Sequence, residues 1–373
     1  MPDLVAIGEV EVQRRSLVLG ALLAGAFWVA APVGFASHKT GHGTPSGAAP
    51  KAFASDFVAP KDSEWPFDIG GFGGEKRGKA LAYNPVLFVH GNSEDSTFYA
   101  ANEAPPVVIN VRQRMKTAGY TDQEVWALSY NGARCGSNAC GTANDVNVPD
   151  MRNFIQAVRD YTGASKVDIV AHSLGVTLVR KTMFLYPELL DQIEDFVAAA
   201  GANHGTSACR GVETTVFGCD EIVPGSAWLG QINSWNPKGE SDETPGPVRY
   251  MTIFDGSGAG DQFYLNLPLL YDDTKSPRLS GAQINKELPN TPHFTLVRGD
   301  VAFNNYLPFI RDHNIVSRTD GGPVISPEQR RAAQVLAETG APPWLLYGFG
   351  LLALAIVFGL AGRAKSDRKR GTA

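Results

Sequence analysis

Ser173 lies in a sequence context that is typical of a nucleophilic serine. Residues 167–171, which are apolar except for Asp168, predict a buried strand, and residues 174–186 predict a helix, so Ser173 falls at the turn between them. Such a turn projects the hydroxyl above the sheet and beside a helix N-terminus. Small residues at Ala171 and Gly175 allow a tight turn, although the G-x-S-x-G pattern has glycine at the first of these positions. The flanking strand and helix therefore carry the prediction that Ser173 is a catalytic nucleophile.

A serine nucleophile needs hydrogen-bond donors for the oxyanion that forms when it attacks an ester carbonyl. The apolar strand predicted at residues 85–89 ends in His90, Gly91 and Asn92, where glycine lets the backbone come close to a substrate. We predict that the backbone amides of Asn92 and Leu174 form the oxyanion hole and that His90 braces this loop.

Chain order selects the general base among the histidines. In the fold that this serine turn indicates, the acid and then the base follow the nucleophile along the chain. His293 comes after a strand predicted at residues 283–288 and just before a helix predicted at residues 294–310, where the base belongs. His204 precedes the candidate acids, so we expect it to shape the pocket floor, and His313 follows the closing helix.

The acid is expected in the glycine-rich turn that follows a strand predicted at residues 248–254. Asp255 and Asp261 both lie in this turn. Chain order leaves the choice between them open, because either carboxylate could instead stabilise the turn itself. His172, directly before the nucleophile, is expected to point back into the fold.

The remaining pattern predicts an α/β protein with a mainly parallel sheet flanked by helices. Short apolar strands alternate with amphipathic helices, which implies right-handed crossovers between parallel strands. Further strands are predicted at residues 124–130 and 196–200, and further helices at residues 107–118 and 149–161. We assign residues 84–318 to one catalytic domain, which follows an arm without sustained periodicity at residues 37–83 and precedes a spacer at residues 319–343.

Residues 206–247 interrupt this alternation. They contain Cys209, Cys219, Trp228 and several glycines and prolines, and the segment is too long for an ordinary connection. We interpret it as a lid or cap that faces the substrate groove, with a disulfide-stapled surface loop as the alternative.

Several segments resemble the class 2 lipases, which are small secreted bacterial enzymes. They are residues 84–92, residues 161–175, and residues 279–282 together with Pro292 and His293. The resemblance to secreted depolymerases of native poly(3-hydroxybutyrate) is closer still and spans residues 84–310. It implies an α/β-hydrolase fold and ester hydrolysis without a metal or cofactor. The acid of these enzymes lies several residues beyond its strand, in a segment like residues 258–262, and this favours Asp261 over Asp255.

This constellation predicts a serine esterase or lipase that acts through an acyl-enzyme, with a triad of Ser173, Asp261 and His293. The expected substrate is a lipid or a polyester, and poly(3-hydroxybutyrate) depolymerase is one alternative function. An envelope-lipid acyltransferase would share the triad and differ only in what resolves the acyl-enzyme. A non-catalytic, wall-displayed binding module is the alternative from a different class.

The charge balance argues against a nucleic-acid partner. The 373 residues include 33 basic and 38 acidic ones, a formal charge of −5. Without the first 36 and the last 34 residues, 26 basic and 34 acidic residues remain, a formal charge of −8. An acidic body repels the phosphate backbone of nucleic acids.

The four cysteines suit an oxidising compartment. Cys135 and Cys140 flank a small glycine-rich loop, and Cys209 and Cys219 flank a longer one, so we expect two local disulfides. A metal site is the competing interpretation, but no histidine stands at ligand spacing beside either pair.

Residues 1–36 are expected to be a signal peptide. Arg14 and Arg15 precede an uncharged run at residues 17–31, and residues 34–36 place small side chains where a signal peptidase cleaves. The paired arginines suit both twin-arginine export and the general route, and the sequence leaves that choice open.

The C-terminal segment predicts attachment to the cell surface. Residues 344–362 form an uncharged stretch close to the length that crosses a bilayer, and the basic tail at residues 363–373 favours a cytoplasmic end. The preceding Leu-Ala-Glu-Thr-Gly at residues 336–340 makes the whole segment resemble a sortase sorting signal. The resemblance implies cleavage between Thr339 and Gly340 by sortase and covalent attachment to cell-wall peptidoglycan, with a retained membrane helix as the alternative.

Overall fold

The computed structural model describes residues 51–62, 69–92, 94–101, 109–130, 144–213, 218–234 and 243–312. The signal peptide, the Cys135 and Cys140 pair, His313, the sorting signal with Thr339 and Gly340, and the C-terminal membrane helix are predictions that lie outside these residues. Within them, no helix combines the length and apolarity that crossing a bilayer requires.

The centre of the described fold is one sheet of eight strands. The described residues form ten strands, namely β1 (Lys51–Phe53), β2 (Gly70–Gly73), β3 (Val86–Val89), β4 (Val125–Ser129), β5 (Val167–His172), β6 (Ile193–Ala199), β7 (Arg249–Phe254), β8 (Asn266–Leu267), β9 (Tyr271–Asp272) and β10 (Ile284–Glu287). The sheet order is β1-β2-β4-β3-β5-β6-β7-β10, and β8 pairs with β9 as a separate antiparallel hairpin. All pairings within the large sheet are parallel except that of β2 with β4. This confirms the prediction of a mainly parallel sheet.

Helices cover both faces of the sheet. They are α1 (Thr97–Ala100), α2 (Val111–Thr117), α3 (Val148–Thr162), α4 (Leu174–Leu185), α5 (Cys219–Ile222), α6 (Ala227–Ser234), α7 (Thr295–Arg298) and α8 (Asp300–Arg311). Successive strand residues point to opposite faces. Leu87 and Ile169 therefore pack in a core with α3 and α4 on one face, whereas Phe88 and Val170 pack in a second core with α2 and α8 on the other. The turn that follows β5, at Ser173, is therefore fixed by buried layers on both faces of the sheet.

The arm assigned to residues 37–83 needs correction, because two strands of the sheet lie within it. β2 is the sequence Gly-Gly-Phe-Gly, which has no strand propensity to reveal it. Gly71 has φ 146°, and a Cβ at this position would lie 2.1 Å from the Ala127 carbonyl oxygen. Glycine is therefore required for β2 to pair closely with β4, and the requirement depends on a neighbour that is distant in sequence.

The single closing helix predicted at residues 294–310 is also wrong in detail. It is two helices, α7 and α8, separated by Gly299, whose backbone is extended with φ −79° and ψ 150°. The helix predicted at residues 107–118 begins only at Val111, where the side chain of Asn110 accepts a hydrogen bond from the Gln113 amide and caps it.

The described part of the insertion at residues 206–247 packs mainly as core. A disulfide with an S–S distance of 2.06 Å links Cys209 to Cys219. Trp228, Leu229 and Ile232 of α6 are buried in the same core as α4. The apolar face of α6 is covered by the body of the protein, and the assignment of the insertion as a lid over the substrate groove stays a prediction. At the start of the insertion, the Thr206 hydroxyl donates to the Phe263 carbonyl at 2.6 Å.

Two buried carboxyls lie on adjacent strands at the opposite end of the sheet. Burial, and then the charge of Asp195, raise the pKa of Asp168 well above its ordinary value. Burial raises the pKa of Asp195 to about 7, although Arg249 at 3.1 Å opposes this shift. Because these folded-state pKa values are raised, the stability that they contribute is complete below about pH 4 and is lost as pH rises through neutrality.

We therefore expect Asp168→Asn to stabilise the protein in alkaline solution. The amide keeps the shape of the side chain but cannot ionise in the core, so unfolding at pH 8 should require on the order of 1 kcal/mol more, or roughly 2–4 °C in Tm. At pH 4 the two proteins should melt together. Tm measured from pH 4 to 9 tests this, with exposed Asp191→Asn as the matched control. A Tm difference that does not change with pH would contradict the explanation.

Candidate active site

Ser173 occupies a strained turn between β5 and α4. Its φ of 54° and ψ of −125° lie in a region that residues other than glycine rarely adopt. The backbone amide of Ser173 donates to the Ala199 carbonyl at 2.9 Å, which ties the turn to the end of β6. The residues on either side are buried, but Ser173 is partly exposed. The strand, turn and helix thus hold one hydroxyl at the carboxyl edge of the sheet, as a nucleophile requires.

Glycine at position 175 lets this turn contact the loop after β3. A Cβ at Gly175 would lie 2.4 Å from the His90 carbonyl oxygen. A Cβ at Gly91 would lie 2.9 Å from Cβ of Ser173. The structure therefore brings the predicted oxyanion loop against the predicted nucleophile.

His293 and Asp261 form a buried hydrogen-bonded pair. Nδ1 of His293 lies 2.8 Å from Oδ2 of Asp261, and both side chains are almost fully buried. The other carboxylate oxygen of Asp261 accepts a hydrogen bond from the Phe263 amide at 2.9 Å. The ring of Phe263 packs at 4.6 Å from that of His293. This arrangement places the proton of the imidazole on Nδ1 and leaves Nε2 to act as a base.

Asp255 organises the turn and does not contact His293. One of its oxygens accepts hydrogen bonds from the Ser257 amide and hydroxyl and from the Asn290 amide, at 2.9, 2.5 and 3.0 Å. The other accepts from the amides of Gly260 and Asp261, at 2.7 and 2.9 Å. Burial alone would raise the pKa of Asp255, but these hydrogen bonds lower it below its ordinary value. Chain order leaves the choice between the two acids open, but in the structure Asp261 contacts His293 and Asp255 bonds to its own turn.

The oxyanion loop is held by His90 and Tyr130. Nδ1 of His90 donates to the Gly91 carbonyl at 2.7 Å, and Nε2 accepts from the Tyr130 amide at 3.3 Å. The Tyr130 hydroxyl donates to the His90 carbonyl at 2.7 Å, and the two rings stack at 4.0 Å. Because a trans peptide is planar, fixing the Gly91 carbonyl directs the amide of Asn92 the opposite way. His90 braces the loop, as predicted.

His172 points into the fold, as expected, and contacts a residue that sequence analysis missed. Its Nδ1 lies 3.4 Å from Oε2 of Glu94, and its Nε2 lies 3.2 Å from the His293 carbonyl oxygen. Burial lowers the pKa of His172, while the carboxylate of Glu94 opposes that shift. Burial alone would raise the pKa of Glu94, but His172 and the Gly91 amide lower it below its ordinary value. Glu94 therefore enters the site as a carboxylate.

His204 is exposed and does not form the pocket floor. Its Nε2 lies 2.6 Å from Oε1 of Glu243, and Nδ1 lies 2.9 Å from the Ser276 carbonyl oxygen. The hydrogen bond to Glu243 raises the pKa of His204. This surface ion pair connects the end of the insertion to residues 276–280, so the prediction that His204 shapes the pocket floor is wrong. Among the described residues, no cluster of three or more histidine, cysteine or acidic side chains could hold a metal.

Comparisons with known proteins find a similar family and similar folds. Residues 83–244 match the model of the Lipase (class 2) family. Among solved structures, the Bacillus licheniformis lipase BlEst2 is 15% identical in its mature form, with a TM-score of 0.49 over 65% of this chain and 98% of that one. Its propeptide form is 14% identical, with a TM-score of 0.50 over 69% and 56%. Aspergillus fumigatus lipase B is 16% identical, with a TM-score of 0.47 over 77% and 65%.

The family match includes β3, the oxyanion loop, Ser173 and part of the insertion, and it supports a class 2 lipase type of hydrolase. The likeness to the propeptide form of the lipase concerns the fold, which is of the α/β-hydrolase kind, with a mostly parallel sheet flanked by helices. Asp261 and His293 lie beyond the matched residues. Their place in the site is argued from their geometry alone.

Proposed function

We propose that this carboxylic ester hydrolase is an exported lipase in which Ser173, His293 and Asp261 form the catalytic triad. The observation that carries the proposal is the buried 2.8 Å contact between His293 and Asp261, on loops at the same sheet edge as the strained turn of Ser173. A nucleophile, a base with a fixed tautomer and an acid are the groups that acyl transfer needs.

The mechanism follows from the roles of these groups. Nε2 of His293 takes the proton of the Ser173 hydroxyl as the oxygen attacks the ester carbonyl. The oxyanion accepts hydrogen bonds from the amides of Asn92 and Leu174, and Asp261 stabilises the imidazolium. His293 then protonates the leaving alcohol, which gives an acyl-enzyme. Water attacks the acyl-enzyme by the same proton transfers in reverse, and the carboxylic acid leaves.

A hairpin beside the acid loop favours an apolar, aggregated substrate. β8 and β9 carry Leu269 and Leu270 at their tip, which are 105% and 53% exposed. Leu269 has φ 70°, a conformation with a strain cost for a residue other than glycine. The hairpin begins just after Phe263, which packs on His293. An uncharged, projecting tip at this position suits contact with the surface of a neutral lipid or polyester.

We expect Leu269→Asp to reduce hydrolysis of insoluble esters selectively. A charge at the tip opposes contact with an apolar surface, so the rate on emulsified tributyrin or triolein should fall about tenfold, equivalent to roughly 1.4 kcal/mol. The rate on dissolved p-nitrophenyl acetate should stay within about twofold. Val58→Asp, at an 81% exposed valine beyond the other sheet edge, is the matched control. Equal losses on both substrates would contradict a role in surface contact.

The alternatives differ in the substrate or acceptor. A poly(3-hydroxybutyrate) depolymerase would use the same triad and the same apolar hairpin. An envelope-lipid acyltransferase would pass the acyl group to an alcohol in place of water. A wall-displayed binding module would lack turnover altogether.

For the location, the uncharged run after Arg14 and Arg15 supports export, and residues 336–373 support anchoring by sortase, with cleavage between Thr339 and Gly340.

Hydrolysis of p-nitrophenyl esters from C2 to C16, beside clearing of amorphous poly(3-hydroxybutyrate), tests the proposal with the exported chain and its Ser173→Ala variant. Serine-dependent preference for long chains is the expected result. Clearing of the polymer with poor activity on long chains would replace the lipase by the depolymerase. Labelling by a serine phosphonate without hydrolysis of any ester would point to the acyltransferase, and absence of both would leave the binding module. Fractionation of cell walls before and after deleting residues 336–373 tests the anchoring.

A further inference from the structure

Glu94 is a buried carboxylate for which the proposed mechanism has no use. It is 9% exposed and lies in the loop after β3, two residues beyond Asn92. Its Oε2 accepts a hydrogen bond from the Gly91 amide at 2.8 Å. Burying a carboxylate is unfavourable unless it is paired and hydrogen-bonded, so contacts at this position need a physical reason.

The same oxygen of Glu94 faces His172. Nδ1 of His172 is 3.4 Å away, and Nε2 on the opposite side of the ring is 3.2 Å from the His293 carbonyl oxygen. A carbonyl oxygen can only accept, so Nε2 of His172 is the donor in that contact, and Nδ1 donates to the Glu94 carboxylate when the ring carries its second proton. The ring also stacks on Phe98, with centroids 5.3 Å apart, which restrains its rotation. His172 therefore contacts the backbone of the residue that serves as the proposed base.

Glu94 and His172 connect two loops that carry different parts of the chemistry. The loop at residues 90–92 supplies an oxyanion donor, and the loop at residues 290–293 supplies the base. A Cβ at Gly91 would lie 3.2 Å from both Oε2 of Glu94 and Nδ1 of His172, so the three groups meet at one point beside Ser173. Gly91 is held at both of its backbone polar groups: His90 donates to its carbonyl, which shares a peptide with the Asn92 amide, and Glu94 accepts from its own amide.

We propose that Glu94 and His172 are positioning residues that lock the oxyanion loop and the base loop into one unit. Glu94 holds the Gly91 amide and so restrains the rotation of the Gly91 backbone that sets the direction of the Asn92 amide, while His172 fixes the backbone of His293. Neither residue contacts the substrate. The inference rests on the proposed serine mechanism and adds two residues to it.

Glu94→Ala tests the first half of the proposal. An oxyanion donor that is misdirected stabilises the transition state less but leaves ground-state binding intact, so kcat should fall about 10- to 100-fold while KM stays within about threefold. A trifluoromethyl ketone forms a tetrahedral adduct whose oxyanion mimics that transition state. Its inhibition constant should rise by the same factor as kcat/KM falls.

Two variants separate positioning from folding. Glu94→Gln keeps an oxygen that can accept from the Gly91 amide and should restore kcat to within about fivefold of the parent. Asp95→Ala removes the neighbouring buried carboxylate, which accepts hydrogen bonds from the amide and hydroxyl of Thr97, and it should leave kcat unchanged. If Glu94→Ala lowers Tm but keeps the parent kcat and inhibitor affinity, the carboxylate is structural and the proposal fails.

His172→Phe tests the connection to the base loop. Phenylalanine keeps the stacking on Phe98 but cannot donate to the His293 carbonyl. The two residues act as one unit, so the double variant with Glu94→Ala should lose less activity than the product of the two single losses. Losses that multiply would overturn the connection. Failure of the serine mechanism itself has a separate signature, because the parent protein would then show neither ester turnover nor phosphonate labelling of Ser173.

Discussion

Ser173→Ala should abolish ester hydrolysis and leave the folded protein as stable as its parent. Loss of a serine nucleophile lowers kcat by about 10⁴-fold or more in enzymes that act through an acyl-enzyme. The side chain of Ser173 is partly exposed, and its backbone amide makes the structural contact, with the Ala199 carbonyl. Alanine keeps that contact and loses only the hydroxyl, so activity and Tm should separate completely.

The strained backbone of Ser173 gives a second variant with a different outcome. Glycine adopts φ 54° and ψ −125° at little cost, whereas a residue with a Cβ is strained by about 1–3 kcal/mol there. Ser173→Gly should therefore be inactive and at least as stable as Ser173→Ala, despite the greater freedom of glycine in the unfolded chain. Circular dichroism melting of the two variants measures this difference.

The measurement is release of p-nitrophenol, with active-site labelling by a fluorescent phosphonate in parallel. Ser234→Ala is a suitable control, because Ser234 is exposed and its hydroxyl donates to the Gly230 carbonyl of its own helix at 2.6 Å. It should retain full activity and labelling. If Ser173→Ala keeps more than about 1% of the parent turnover and another serine is labelled, that other serine is the nucleophile and the proposed triad is wrong.

Local sequence patterns were sufficient to place Ser173 and the strands around it. A buried parallel strand is a continuous apolar run, and a nucleophile turn lies between such a run and a helix, so both leave a signal within about fifteen residues. β3, β4, β5 and β7 are found within one residue of the predicted ends. β2 left no such signal, because its glycines are explained by the carbonyl of Ala127 and the ring of Trp126 in a strand more than fifty residues away.

The parts of the candidate site that sequence patterns missed depend on contacts between distant segments. Glu94 and Tyr130 are ordinary residues in sequence, and their roles appear only when β3, β4 and β5 bring the loop at residues 90–94 beside His172. Chain order predicts His204 at the pocket floor because it precedes the candidate acids, but its partner Glu243 lies 39 residues away at the end of the insertion. Chain order likewise gives no information on distances, so it could not decide whether Asp255 or Asp261 contacts the base.

Asp261→Asn and Asp255→Asn should therefore fail in opposite ways. An asparagine at position 261 places an amide against Nδ1 of His293 and favours the wrong tautomer of the ring, which in serine hydrolases with a triad lowers kcat by about 10⁴-fold. Its oxygen can still accept from the Phe263 amide. Asp261→Asn should thus lose at least about 10³-fold in kcat with little change in Tm, and its residual rate should rise with pH as hydroxide replaces the base.

Asp255→Asn should lose stability and keep most of its chemistry. The Asp255 carboxylate accepts five hydrogen bonds from residues 257–290, and an amide group must face at least two of those donors with its own hydrogens. Leaving buried donors unpaired costs about 1–3 kcal/mol each, so Tm should fall by several degrees while kcat below the melting range stays within about tenfold.

The lowered pKa of Asp255 determines how its contribution to stability depends on pH. Its contribution is present above the unfolded value near pH 4 and is lost as pH falls, so the Tm difference from the parent should shrink in acid.

The pair of variants decides which carboxylate belongs to the triad. Steady-state kinetics at 20 °C and melting curves from pH 3 to 8 are measured on the same preparations, so that unfolding of a variant is not mistaken for loss of catalysis. If Asp255→Asn loses about 10³-fold in kcat while it is fully folded, and Asp261→Asn does not, the 2.8 Å contact between Asp261 and His293 is not catalytic. The hydrogen bonds of Asp255 would then have to be exchanged for one to His293 during turnover, which needs the loop at residues 255–261 to rearrange. The five donors now bound to Asp255 would all lose their acceptor in that movement, and for this reason we assign the triad acid to Asp261.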